Sequence, residues 1–141
     1  MIRYEIEKML VTGELQTNDI PACWNEKYKK WLTVDVPDDK RGCLQDVHWS
    51  HGSFGYFPTY SLGSFYAAQF FDTAEKNIPN LAVEITNGNY KPLLDWLRTS
   101  VHAHGRRFTS GELCNQITGE GLNIDYFIHY ATEKYKAIYA F

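Results

Sequence analysis

Apolar residues recur at helical spacing along most of the chain. Ile2, Ile6, Met9 and Leu10 mark one face of a first helix, which Gly13 stops. No Ser, Thr, Asp or Asn caps its front, so the chain is expected to begin as though already inside a helix. Asn18-Asp19-Ile20-Pro21 reads as a capping region with proline in the first turn. Trp24, Tyr28, Trp31 and Leu32 then mark a second helix running to about Thr33, broken by Val36-Pro37-Asp38-Asp39. Helix returns from Tyr60 onward, with Leu62, Tyr66, Ala67, Phe70, Phe71 and Ala74 as its apolar positions, and ends before Ile78-Pro79. A short helix is expected over 81–85, stopped near Asn87-Gly88-Asn89. Another carries Leu93, Leu94, Trp96, Leu97 and Val101 and ends by Gly105. Thr109-Ser110-Gly111-Glu112 fits a reciprocal capping box, opening a helix that stops at Gly119 or Gly121. Ile124, Phe127, Ile128, Ala131, Tyr135 and Ile138 define the last one.

Residues 42–63 break this rule. Glycines at 42, 52, 55 and 63, Pro58 and several aromatics exclude a regular amphipathic helix over the whole stretch. The fold class is therefore mainly α: a helical array with one irregular glycine- and aromatic-rich segment at about residues 42–60. A single domain over 1–141 is expected, without repeats or linkers.

Composition narrows the partners. Fourteen Lys+Arg against 17 Asp+Glu give a formal net charge of −3. Apart from pairs such as Arg106-Arg107 and Lys29-Lys30 the basic residues are scattered, which argues against nucleic acid. No apolar run approaches the roughly 20 residues of a membrane span, and the first residues lack the basic and apolar regions of a signal peptide. Cys23, Cys43 and Cys114 form no CxxC and read as reduced thiols of a cytoplasmic protein. Aromatic residues reach 16%, ten of them tyrosines, which suits a bulky core and equally a polar, partly buried cleft.

The irregular segment concentrates polar side chains between aromatics. Asp46 and His48 share a face on extended backbone, and His48 and His51 share one on a helix. An Asp beside a His fixes its tautomer and raises its basicity. A metal site would need three or four converging ligands. Asp46, His48 and His51 are the near candidates, with no further local carboxylate and a hydrogen-bonded structural cluster as the competing role. His102 and His104 sit near a helix end and His129 on the last helix. There is no nucleophile elbow, no phosphate loop and no His-Glu-x-x-His. Cys43 near His48 is too common a coincidence to make a nucleophile.

Gly42-x-x-Gln45-Asp46-x-His48-Trp49, followed by Gly55-Tyr56-Phe57-Pro58-Thr59-Tyr60 and Leu62-Gly63, resembles the carboxypeptidase Taq family of thermostable, mostly helical zinc metallocarboxypeptidases. Flanking stretches share the likeness: Arg3-Tyr4-Glu5-Ile6-Glu7-Lys8, Asp19-Ile20-Pro21-x-x-Trp24-Asn25, Ala67-Ala68-Gln69, Gly105-Arg106, Thr118-Gly119-Glu120-x-Leu122 and Tyr130-x-x-x-Lys134-Tyr135. The resemblance covers essentially the whole chain, but the family enzyme is several times longer, so only its C-terminal part is represented. It implies that the His-Glu-x-x-His zinc helix, the downstream Glu ligand and the Ile-Arg motif receiving the substrate carboxylate would lie before Met1. On this view Met1 falls inside a longer helix. His51 stands where a small or variable residue is expected and takes no family role.

By resemblance, Gln45, Asp46 and His48 lie beside the cleft and organise substrate contacts, with His48 accessory to catalysis. Tyr56 and Tyr60 are the candidate donors to the tetrahedral intermediate or to the peptide terminus, since a phenol donates one directed hydrogen bond. Core packing is the competing role for each, and Trp49 and Phe57 are assigned to packing. Zinc belongs to the full-length family; no metal ligand and no cofactor is expected in this chain. The leading expectation is the C-terminal portion of a zinc carboxypeptidase, supplying the cleft wall opposite the metal and inactive alone. A non-catalytic helical peptide- or protein-binding module is the alternative, and a small metal hydrolase built on Asp46, His48 and His51 comes third. Expected partners are a peptide substrate and an N-terminal half carrying the zinc site. Self-association through exposed apolar faces is the other possibility, with Trp24, Trp31, Phe70 and Phe71 as candidate contacts.

Overall fold

The computed structural model describes residues 1–140. Helices account for all its regular structure, with no strand among the described residues. In chain order they are α1 Ile2–Thr12, α2 Ile20–Leu32, α3 Val47–Ser50, α4 Pro58–Asn77, α5 Leu81–Thr86, α6 Lys91–Ser100, α7 Ser110–Thr118 and α8 Asp125–Tyr139. Short 3-10 turns fill Thr17–Asp19, Asp39–Arg41, Cys43–Gln45 and His102–His104. None of the helices among the described residues is long and apolar enough to cross a membrane. The chain divides into two compact units, Met1–Ser61 and Leu62–Phe141.

In the first unit α1 packs on α2 around Ile2, Ile6, Trp24 and Cys43, flanked by Leu10, Leu15, Ile20, Tyr28, Val36 and Trp49. Trp24 stacks on Tyr28 with centroids 4.8 Å apart and meets Trp49 edge-on at 6.2 Å. The α1 spacing thus does what its periodicity predicts. It also buries Glu7, which is only 3% exposed and whose Oε1 lacks an aligned hydrogen-bond partner.

Local starts and stops follow the sequence with three corrections. The 3-10 turn Thr17–Asp19 leads straight into α2, and Asp19 makes no side-chain cap, because Pro21 in the first turn removes an N–H that a cap would serve. Helix α4 begins at Pro58, two residues before the expected Tyr60, since proline's fixed φ suits a first helical position. Trp24, a candidate surface contact by sequence, is 2% exposed and belongs to the core; Trp31 and Phe71 do reach solvent at 44% and 38%.

In the second unit the Thr109 capping box forms as predicted, and Gly119 closes α7 in the left-handed region at φ 84°. Its centre holds Ala74, Leu81, Cys114 and the fully buried amide of Gln69. Gln69 Nε2 donates to Thr118 Oγ1 at 3.1 Å and to the Gly121 carbonyl at 3.0 Å, while its Oε1 accepts from the Asn123 N–H at 2.9 Å. One α4 side chain thereby fixes the α7–α8 connection.

Candidate functional site

The irregular segment is anchored at Gly42, where a Cβ would lie 2.7 Å from Val36 Cγ1 and 3.1 Å from the Asp38 carbonyl oxygen. Only glycine fits that approach. The turn Cys43–Gln45 follows, and Asp46, on extended backbone, caps α3: its Oδ1 accepts from the N–H groups of His48 at 2.8 Å and Trp49 at 3.3 Å. Asp46 and His48 are therefore coupled by a cap and not, as their spacing suggests, by a shared strand face. Gly52 and Gly55, both at positive φ, then carry the backbone from α3 to α4.

A chain of polar groups runs from the interior to the surface. The Asp46 side chain is fully buried, with Oδ2 3.2 Å from Arg3 Nη1 and Oδ1 3.4 Å from His48 Nδ1. His48 Nε2 lies 3.0 Å from the Tyr60 hydroxyl. Both Asp46 contacts are charge contacts off the axis of a good hydrogen bond, which leaves Asp46 Oδ2 and His48 Nδ1 without an aligned partner. With Trp49 Nε1, three of the four such buried atoms in the described residues fall at the start of α3. Native folds leave few groups unsatisfied, and those few gather where function is placed.

Aromatic rings enclose the imidazole. Tyr56 stacks on His48 at 5.8 Å and 26°, Tyr60 meets it edge-on at 6.0 Å, and Phe57 lies 5.0 Å away. Tyr56 and Tyr60 meet at 84° with centroids 5.3 Å apart. Phe57, buried, continues inward onto Trp49. Tyr56 and Tyr60 are half exposed, so the cluster grades from a dry base to a wet rim carrying two phenols. The Tyr56 hydroxyl makes no hydrogen bond among the described residues, whereas that of Tyr60 is engaged by His48.

Of the sequence-derived candidates, Asp46, His48, Tyr56 and Tyr60 come together. Gln45 does not: it is exposed and its amide donates to the Lys40 carbonyl. His51 sits 6.0 Å from the His48 ring, with Nδ1 on the Ser53 hydroxyl at 3.0 Å. His104 lies against Phe108, and His129 is exposed on α8. Arg3 carried no functional signal in the sequence beyond its place in a flanking stretch. Its guanidinium lies 5.6 Å from the Trp24 ring centroid and 6.0 Å from that of Phe57 while facing Asp46. Burial pushes the Cys43 thiol up, and the Asp39 charge adds to this, which disfavours a thiolate beside the site.

The donor set does not fit a metal ion. Asp46 is spent on the α3 cap and Arg3, and His48 faces Asp46 and Tyr60 with its two nitrogens. No three His, Cys, Asp or Glu side chains converge among the described residues. In the second unit a wide groove of about 970 Å³ runs between α4 and α8, lined by Ala67, Ala68, Phe71, Tyr126 and Tyr130. Of its acidic groups, Asp72 pairs with Lys76 and Glu133 with Lys136, and Lys76 lies over the Tyr126 ring, whose hydroxyl donates to Glu120.

Comparison with known proteins identifies the family. Residues 1–135 match the family model described as carboxypeptidase Taq (M32) metallopeptidase. The chain is 45% identical over 139 residues to thermostable carboxypeptidase 1 of Thermus thermophilus, covering 99% of this chain and 27% of that protein. It is 41% identical to carboxypeptidase 1 of Bacillus subtilis, covering 99% of this chain and 28% of that one. The crystal structure of M32 carboxypeptidase from Deinococcus radiodurans R1 superposes with a TM-score of 0.94 at 35% identity, over 99% of this chain and 28% of the other. The chain thus spans little more than a quarter of the length of the curated relatives it matches.

Proposed function

Because the chain belongs to the carboxypeptidase Taq (M32) metallopeptidase family, we propose that it acts as the C-terminal portion of a zinc metallocarboxypeptidase and supplies the cleft wall on which a peptide's C-terminal end is held. The supporting observation is the chain Arg3–Asp46–His48–Tyr60 with Tyr56 stacked beside it, leading from a buried carboxylate to two half-exposed phenols. Asp46 orients His48, and His48 engages Tyr60. Tyr56, whose hydroxyl has no hydrogen-bond partner among the described residues, is the donor toward the peptide's carbonyl or terminus. Gln45 contributes only by turning away from Lys40.

Water activation needs a metal and a base. The 141 residues contain no His-Glu-x-x-His, and the donors of the site are committed elsewhere. The present residues bind and orient; no metal chemistry is assigned to them, and the chain alone does not hydrolyse peptides. Its partners in this reading are a peptide and a polypeptide carrying the zinc helix, with exposed Trp31, Leu32 and Phe71 available for docking.

The test is to titrate peptides with a free C-terminal carboxylate, and their C-terminal amides, into the 141-residue chain. Resonances of His48, Tyr56 and Tyr60 report binding. Free-acid peptides should move them, more weakly in Tyr56→Phe and His48→Ala, with no amino acid released with or without zinc. Unmoved resonances, or metal-dependent release by the chain alone, would sink the proposal. Binding that yields no turnover even in complex with a polypeptide bearing the zinc helix would favour a non-catalytic peptide-binding module.

A further inference from the structure

We infer that Arg3 is a positioning residue for His48: acting through Asp46, it fixes the imidazole tautomer and hence the direction of the His48–Tyr60 hydrogen bond. The inference rests on the assignment of Asp46, His48 and Tyr60 to the substrate-facing wall.

Asp46 Oδ1 is committed to capping α3, which leaves Oδ2 as the buried oxygen in need of compensation. Among the described residues Arg3 Nη1, 3.2 Å away, is the one Lys or Arg group within ion-pair distance, and the Asp46 side chain has no solvent exposure. A carboxylate so buried keeps its charge only with a partner. The guanidinium is set against Trp24 and Phe57, and Phe57 in turn touches the His48 ring, so Arg3 is held by packing and not only by charge.

The consequence reaches the imidazole. An ionised carboxylate repels a bare ring nitrogen and attracts an N–H, so the Asp46 charge, with Oδ1 3.4 Å away though off the hydrogen-bond axis, favours the tautomer with the proton on Nδ1. Nε2 is then bare and accepts from the Tyr60 hydroxyl at 3.0 Å. In this state Tyr60 spends its proton inward and offers oxygen lone pairs to a ligand. In the opposite tautomer Nε2–H donates to Tyr60, and the phenol can donate elsewhere. The other polar or titratable groups around the ring, His51, Tyr56 and Tyr60, supply no carboxylate that could impose the same choice. Arg3 therefore decides, from the far end of the chain, whether Tyr60 accepts or donates.

The experiment is ¹⁵N NMR of the histidine ring nitrogens in the 141-residue chain, at a pH where the His48 imidazole is neutral. The wild type should show Nδ1–H. Arg3→Gln should raise the ratio of Nε2–H to Nδ1–H about tenfold, equivalent to ~1.4 kcal/mol. Arg3→Lys keeps the charge without the planar guanidinium and should shift the ratio the same way by less. Glu5→Gln removes the Glu5–Lys27 pair, 2.6 Å in length, from the same helix and should leave the tautomer alone. A wild-type Nε2–H tautomer, an unchanged ratio in Arg3→Gln, or an equal shift in Glu5→Gln would overturn the inference. Should Arg3→Gln fail to fold, an unshifted Arg3→Lys does so instead. A shift in Asp46→Asn without one in Arg3→Gln removes Arg3 alone, while tautomers as expected with no peptide binding remove only the proposed function.

Discussion

Gln69→Leu tests how the second unit is held together. The side chain is fully buried and makes three hydrogen bonds to the α7–α8 connection. Leucine has a similar volume, so the cavity contribution is small and the polar one is isolated. Each hydrogen bond contributes about 1 kcal/mol net, and a buried donor left unpaired costs about 1–3 kcal/mol more. Thr118 Oγ1 keeps its contacts with the carbonyls of Cys114 and Glu120, and the exposed Gly121 carbonyl can turn to water. The half-buried Asn123 N–H has no such alternative. Added apolar burial offsets about 1 kcal/mol. The balance is a loss of about 3–5 kcal/mol, or roughly 10–20 °C in Tm for a chain of this size. Urea denaturation followed by circular dichroism gives the stability, and hydrogen exchange at the Asn123 amide locates the change. A variant within about 0.5 kcal/mol of wild type, with Asn123 still protected, would refute the clamp.

Three further outcomes are expected. Gly42→Ala places a methyl 2.7 Å from Val36 and should cost about 1–3 kcal/mol, with a changed Trp24/Trp49 fluorescence; an unperturbed spectrum and stability would contradict the packing described. Glu112 is held below the usual carboxylate range by hydrogen bonds from the Thr109 backbone and hydroxyl. Its contribution is present above the unfolded-state value near 4.5 and is lost as pH falls through the lower folded value, so Glu112→Gln should flatten the acid limb of a stability-versus-pH curve. Burial raises the Cys43 and Cys114 thiols, so both should react with iodoacetamide more slowly than in urea-unfolded chain; native-state labelling at the unfolded rate would argue against the burial.

Helix periodicity and punctuation were legible because they are local. Ile2 and Ile6 mark the α1 core face, and Thr109 with Glu112 announces the start of α7; both hold in the structure. The motif from Gly42 to Tyr60 also pointed to the segment in which Asp46, His48, Tyr56 and Tyr60 come together, since glycines and polar groups among aromatics need a special backbone. Long-range relations were hidden. Nothing in the neighbourhood of Arg3 says that its partner is Asp46, and Gln69 looks like any polar position on α4 until Thr118, Gly121 and Asn123 are brought to it. Trp24 was misplaced because a tryptophan on an amphipathic helix reads the same whether its neighbour is α1 or solvent.

Asp46 is at once the first letter of a helix, the counterweight to an arginine and the neighbour that instructs an imidazole. Replacing it rewrites all three, so the local backbone and the behaviour of the phenol rim are inherited as one unit. Drift can reach the rim only at positions outside that knot, such as His51.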